Sequence, residues 1–115
     1  MAIVRAAFEQ SFDLLLERGA RLRERTRTAP HYRLYALPGT TPPKPGLVRV
    51  SADGSAIAVE VWDMPITHFG SFIALVPAPL CIGSIELADG RRVHGFLCEA
   101  HALAGAEDIS RHGGW

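Results

Sequence analysis

Tyr32-Arg33-Leu34-Tyr35-Ala36-Leu37-Pro38-Gly39-Thr40-Thr41-Pro42-Pro43-Lys44-Pro45-Gly46 is the stretch that organises the rest of this sequence. Its first six residues, rich in aromatic and branched side chains, read as a strand. They run into a loop whose prolines leave the backbone little choice. Each proline fixes φ near about −65° and pushes the residue before it toward extended geometry, so Pro43, Lys44 and Pro45 follow one path. Lys44 is the single lysine of the chain; the other eleven basic residues are arginines. A solvated surface lysine needs no such clamp. The loop therefore reads either as a polyproline-like connector or as a preset contact for an anion.

Upstream, Arg21, Arg23, Arg25 and Arg27 alternate with Leu22, Glu24 and Thr26. A period of two places the four guanidiniums on one face of a strand, and the turn at Ala29-Pro30-His31 makes antiparallel pairing with 32–37 the expectation. Before it, Phe8, Phe12, Leu15 and Leu16 recur at helical spacing toward a stop at Gly19. Downstream, β-rich runs at 47–50 and 56–62 flank Asp53-Gly54, and runs at 82–87 and 92–98 flank Asp89-Gly90. Each is a hairpin signature. Between them Pro65 opens a helix carrying Phe69, Phe72, Ile73 and Val76, ended by Val76-Pro77-Ala78-Pro79. Asp108 is a candidate cap for a last short turn stopped by Gly113-Gly114. Six short strands and two or three helices without regular βαβ alternation predict an α+β fold, a mixed and mostly antiparallel sheet curling into a small barrel with packed helices.

The 115 residues are expected to form one domain, 1–115, long enough to bury roughly two thirds of the surface of the unfolded chain. Twelve acidic and twelve basic residues cancel, which removes the global field of a phosphate-binding protein and argues against nucleic acid as a partner. An anion would have to be caught locally. Cys81 and Cys98 lack Cys-x-x-Cys spacing, and there is no leader and no apolar run near ~20 residues, so the expectation is a reduced, cytoplasmic protein away from membranes.

The blocks Arg25-Thr26-Arg27-Thr28-Ala29-Pro30, Tyr32 through Leu47, Val59-Glu60-Val61-Trp62, Val76 through Gly83, Gly95-Phe96-Leu97-Cys98-Glu99-Ala100, Asp108-Ile109 and Gly113-Gly114-Trp115 follow one another in an order that resembles the C-terminal domain of allophanate hydrolases. The resemblance covers about residues 17 to 115. It implies a γ-glutamylcyclotransferase-like fold. It also implies a role in urea degradation: breaking N-carboxycarbamate, the product of a separate amidase domain, to ammonia and carbon dioxide. That amidase domain has no counterpart in the sequence, which is expected to be a stand-alone second half.

N-carboxycarbamate carries two carboxylates on one nitrogen, so its site must hold two negative charges and deliver a proton to nitrogen. Lys44 suits the first task, because charge-assisted contacts are roughly twice as strong as neutral ones; Thr41, Tyr32, Tyr35, Pro77 and Pro79 are the expected walls. Imidazole suits the second. The family places its histidine in a Gly-Ala-His-Leu segment, and counting back from Glu17-Arg18-Gly19-Ala20 puts Arg5 at that position. Arginine cannot act as a base there, so the catalytic residue is left unassigned. The glutamate of true γ-glutamylcyclotransferases is also missing, since the corresponding segment reads Val76-Pro77-Ala78-Pro79.

Of the five histidines, His101 with Cys98 and Glu99 offers two or three metal ligands at most and no zinc signature, so neither a metal nor another cofactor is expected. The arginine row suits a solvated face laced to Glu17 and Glu24, or a partner's carboxylates. Two functions follow: a small-dicarboxylate site centred on Lys44, or a non-catalytic assembly module working as a homodimer or with an amidase partner.

Overall fold

The structure, a computed structural model, describes residues 1–6, 12–39 and 44–115, with the side chains of Phe12, Asp13 and Leu14 outside that description. Thr41 and the rest of 40–43 lie outside the described residues, as does 7–11, where the first helix was expected to begin. In chain order the elements are β1 (Ala2–Arg5), α1 (Phe12–Glu17), β2 (Arg21–Arg27), β3 (Tyr32–Leu37), β4 (Lys44–Arg49), β5 (Ala58–Asp63), α2 (Phe69–Ala74), β6 (Leu80–Glu86), β7 (Arg92–Cys98) and β8 (Glu107–Asp108). Short 3-10 turns at Ile66–His68, Ala100–Leu103 and Ser110–His112 complete the set.

Two sheets form: a five-stranded one in the order β2-β5-β1-β7-β6 and a three-stranded one in the order β4-β3-β8. Val4, Val59, Val61 and Ile85 of the larger sheet meet Tyr32, Leu34 and Leu47 of the smaller in one buried cluster. On the opposite face, Ile3 and Trp62 join Leu15 of α1 and Phe72 of α2 in another. Ile3 and Val4 are both fully buried, because a central strand covered on both faces has no solvent side. Large apolar side chains in this position each contribute about 1.5–3 kcal/mol relative to exposure.

Several expectations need correction. β2 does not pair with β3; it pairs antiparallel with β5, with a bulge between Leu22 and Glu24. The polar alternation of β2 leaves most of it exposed, so it suits an edge, whereas β3 buries Tyr32, Leu34 and Leu37 and needs cover. The chain crosses between sheets at buried Thr28, whose backbone N–H donates to Ile57 O at 2.9 Å and whose Oγ1 accepts from Ile57 N–H at 3.0 Å.

Nor does Asp53-Gly54 close a hairpin between its flanking strands. β4 pairs with β3, and β5 pairs with β1 and β2. Glycine is required there by close approach, since a Cβ on Gly54 would lie 2.7 Å from His31 Cα and 2.8 Å from Pro30 O. The Asp89-Gly90 hairpin is found, with β6 and β7 paired from Leu80–Cys98 to Glu86–Arg92. Among the described residues the expected six strands become eight: β1 and β8 enter by pairing that no local pattern announces.

Among the described residues the sheet does not close into a barrel. Beyond the edge strands β2 and β6, a single bridge joins Thr28 to Leu87, supported by Ala88 N–H donating to Arg27 O at 2.9 Å. The sheet curls together at that end only. No described helix is long and apolar enough to cross a membrane.

The C-terminal segment is stitched to β3. Asp108 accepts from Arg33 Nη1 and from Ser110 N–H, each at 2.9 Å; Leu34 N–H donates to the buried Ser110 Oγ at 2.8 Å. Partial burial pushes the Asp108 carboxyl up, but donation from Ser110 and Arg33 outweighs it and the net shift is downward. A carboxyl held below its unfolded value of about 3.9 stabilises the fold above that pH, and the contribution is lost as pH falls through the folded value. Asp108→Asn should lower the urea midpoint at pH 7 by an amount worth under about 1 kcal/mol, since the site is partly solvated, and the gap to wild type should narrow at pH 3.

Gly95 faces Val4 in the one parallel pairing of the sheet, and a Cβ there would lie 2.6 Å from Ile85 Cδ1 and 2.7 Å from Val4 O. Gly95→Ala is expected to cost about 1–3 kcal/mol in urea unfolding through overpacking. Gly70→Ala in α2, where nothing lies within 4 Å of the added Cβ, should instead stabilise by up to about 1 kcal/mol.

Candidate functional site

The β3–β4 pair ends at Leu37 opposite Lys44. Lys44 is therefore the first residue of a strand rather than the tip of a loop. Pro45 is tolerated because β4 is an edge strand, where a missing N–H removes no interior pairing. Beside this end, Pro79 O accepts from Glu99 N–H at 2.8 Å, tying the segment before β6 to the end of β7. The 3-10 turn Ala100–Leu103 follows, with Ala102 N–H donating to Glu99 O at 3.1 Å.

These three pieces bound a cleft of about 480 Å³ lined by Leu37, Pro38, Gly39, Lys44, Ala78, Pro79, His101, Ala102 and Ala104. Among these lining residues Lys44 and His101 are the ones that can carry charge, and no carboxylate joins them. Among the described residues Lys44 makes no ion pair. The His101 Nδ1 lies 3.3 Å from Glu99 Oε2, with the histidine side chain 72% exposed.

Of the residues read from sequence as walls, Lys44 and Pro79 are brought together here. Tyr32 is not with them. It is wholly buried in the inter-sheet core, where its hydroxyl accepts from Glu86 N–H at 2.9 Å and from Arg49 Nη1 at 3.4 Å. The period of two explains the correction: Tyr32 shares the inward face of β3 with Leu34. Tyr35 packs against the Leu37–Leu80–Cys98 cluster and does not line the cleft. Pro77 is exposed, and its carbonyl accepts from Leu80 N–H at 3.0 Å. Thr41 lies outside the described residues.

Sequence reading set His101 aside as a weak metal candidate and missed its place beside Lys44. The available signal was a Glu99-x-His101 pair directly after a strand. Among the described residues no group of three or more His, Cys, Asp or Glu side chains is placed to hold a metal. Burial pushes the Cys81 thiol up, with the Glu99 charge adding to it. The Cys98 thiol is raised by burial and by Cys81. Both are poor nucleophiles in this state.

Arg5, which the sequence count set at the family's histidine position, is buried and does not line this cleft. Its Nε donates to Glu60 Oε1 at 2.9 Å, its Nη2 reaches the same oxygen at 2.9 Å, and its guanidinium lies 4.8 Å from the Trp62 ring centroid. Trp62 Nε1 also donates to Glu60 Oε1, at 3.1 Å. Burial pushes the Arg5 pKa down, opposed by the Glu60 carboxylate.

Glu60 in turn lines a second cleft of about 780 Å³, with Arg25, Arg27, His112 and Trp115 among its walls. The arginine row is laced to carboxylates, but to those of β5: Arg23 reaches Asp63 at 3.3 Å and Arg25 reaches Glu60 at 3.5 Å. The expected partners are engaged elsewhere, Glu17 with Arg18 and Glu24 with Arg91.

Comparison with known proteins agrees with this architecture. The chain is 47% identical over 93 residues to the urea amidolyase of Lachancea kluyveri and 45% identical over 94 residues to that of Saccharomyces cerevisiae. These alignments cover 77% and 78% of the chain but 5% of each amidolyase, so the chain spans a small fraction of those relatives. Crystallised allophanate hydrolase from Kluyveromyces lactis superposes with a TM-score of 0.89 at 41% identity, covering 99% of this chain and 20% of that one. A uropathogenic E. coli-specific protein gives a TM-score of 0.85 at 31% identity, covering 99% of this chain and 89% of its own. The allophanate hydrolase C-terminal domain family matches residues 8–115, and the chain belongs to that family.

Proposed function

We propose that the Lys44 cleft binds a small dicarboxylated nitrogen compound of the N-carboxycarbamate type, and that the protein acts on it in cytoplasmic urea catabolism, releasing carbon dioxide and ammonia. The observation that carries this reading is the charge of the lining: an uncompensated lysine, an imidazole and no carboxylate among the described lining residues. A dianion entering such a cleft meets attraction from Lys44 and no carboxylate among the described lining residues, and the apolar Leu37, Pro38, Pro79 and Ala102 of the lining strengthen that attraction by excluding water. Membership of the family supports a substrate class from urea breakdown.

A second reading, a non-catalytic module assembling as a homodimer or with a separate amidase, is favoured by the engagement of the buried Arg5, the residue to which the sequence count assigns the family's histidine position, with Glu60. The outermost position of β2 in its sheet supplies an edge for pairing.

Isothermal titration of malonate, a stable dianion, separates the two readings. Saturable binding to the wild type is expected, weakened roughly 10- to 100-fold in Lys44→Ala, the value of one charge-assisted contact. Absence of malonate binding, with a dimer mass by light scattering, would instead favour the assembly reading.

A further inference from the structure

We propose that His101, oriented by Glu99, is the proton donor of the Lys44 cleft. The inference rests on the dianion reading above and adds to it the group that moves the proton. His101 lines the same cleft as Lys44, and Glu99 Oε2 stands 3.3 Å from its Nδ1. Glu99 is held in turn: its N–H donates to Pro79 O, and its carbonyl accepts from Ala102 N–H. A carboxylate on Nδ1 keeps the proton there and leaves Nε2 as the nitrogen that exchanges protons with a ligand. Glu99 is thus a positioning residue.

Of the other candidates, His31 sits in the turn before β3, its N–H donating to Ala29 O and its carbonyl accepting from Val50 N–H, and does not line this cleft. The thiols of Cys81 and Cys98 are both pushed up by burial, Arg5 does not deprotonate, and His112 lines the second cleft. His68 and His94 are engaged elsewhere, at 3.1 Å from Arg18 O and edge-on to Phe69.

The C–N bond to one carboxylate breaks and its electron pair stays on nitrogen. The imidazolium of His101 gives that nitrogen a proton, and carbon dioxide leaves. A dianion and an imidazolium become a carbamate monoanion, carbon dioxide and neutral imidazole. A second proton, returned to the exposed imidazole from solvent and passed on, turns carbamate into ammonia and a second carbon dioxide. Lys44 holds the charged carboxylate while the other departs.

The test follows carbon dioxide release from N-carboxycarbamate, generated in the assay from allophanate by an added amidase, above the uncatalysed rate. His101→Ala is expected to lower kcat by ~10²–10⁴-fold, the usual effect of losing a positioned proton-transfer group, while malonate affinity falls by less than in Lys44→Ala. Added imidazole should restore part of that rate in His101→Ala, which a purely structural histidine would not permit. Glu99→Gln should lower kcat by about tenfold with KM unchanged. Wild-type turnover retained in His101→Ala, or loss without imidazole rescue, overturns the inference and leaves the binding reading standing. So does malonate binding without any wild-type turnover. Failure of the wild type to bind malonate overturns the binding reading itself, and the proton-donor role with it.

Discussion

The close approach of β1 to β7 at Val4 and Gly95 is the constraint on which the other contacts depend. β1 lies between β5 and β7, antiparallel to one and parallel to the other, and its consecutive residues Ile3 and Val4 serve the two opposite cores. A side chain on residue 95 would separate the strands, because the Val4 carbonyl and the Ile85 methyl already occupy the space. With β1 in place the larger sheet presents an apolar surface to each side. One side takes the helices and the other takes the three-stranded sheet.

From that packing the two clefts acquire different electrostatic characters. The Lys44 cleft forms where the end of β3–β4, the Pro79 segment and the turn after β7 converge, three pieces distant in sequence. Among its described lining residues none is acidic. At Arg5 the opposite holds: a buried cation is matched by Glu60, which also accepts from Trp62 and meets Arg25. Burying a charge costs several kcal/mol unless it is paired. Arg5 and Glu60 therefore form a structural unit within the sheet and its helical cover, while Lys44, half-exposed, keeps its charge available to a ligand.

The arginine row illustrates how a local reading acquires a different meaning in three dimensions. β2 is largely exposed, but the bulge between Leu22 and Glu24 sets Arg21 opposite Asp63 and Arg25 opposite Glu60, so alternation does not keep all four guanidiniums on one face. Which carboxylates meet them depends on the neighbour of β2, and that neighbour is β5 rather than β3. Asp63 and Glu60 take the places expected of Glu17 and Glu24. Among the described residues Arg27 reaches carbonyl oxygens, Ala56 O at 3.4 Å and Gly113 O at 3.5 Å.

Local chemistry by itself determined the strand at 32–37, the Asp89-Gly90 hairpin, the helix after Pro65, the α+β class and Lys44 as a cation held by prolines. Each rests on side-chain periodicity or on a backbone restriction within a few residues. The family's blocks of sequence were legible for the same reason, as contiguous strings. Only tertiary structure decided that β2 pairs with β5, that Gly54 is needed for backbone approach, that Tyr32 belongs to the core and that His101 stands beside Lys44. Those outcomes depend on long-range pairing and on which face of a strand is covered, and the free energy that selects them comes from apolar burial summed over both sheets, a quantity that no short window of residues contains.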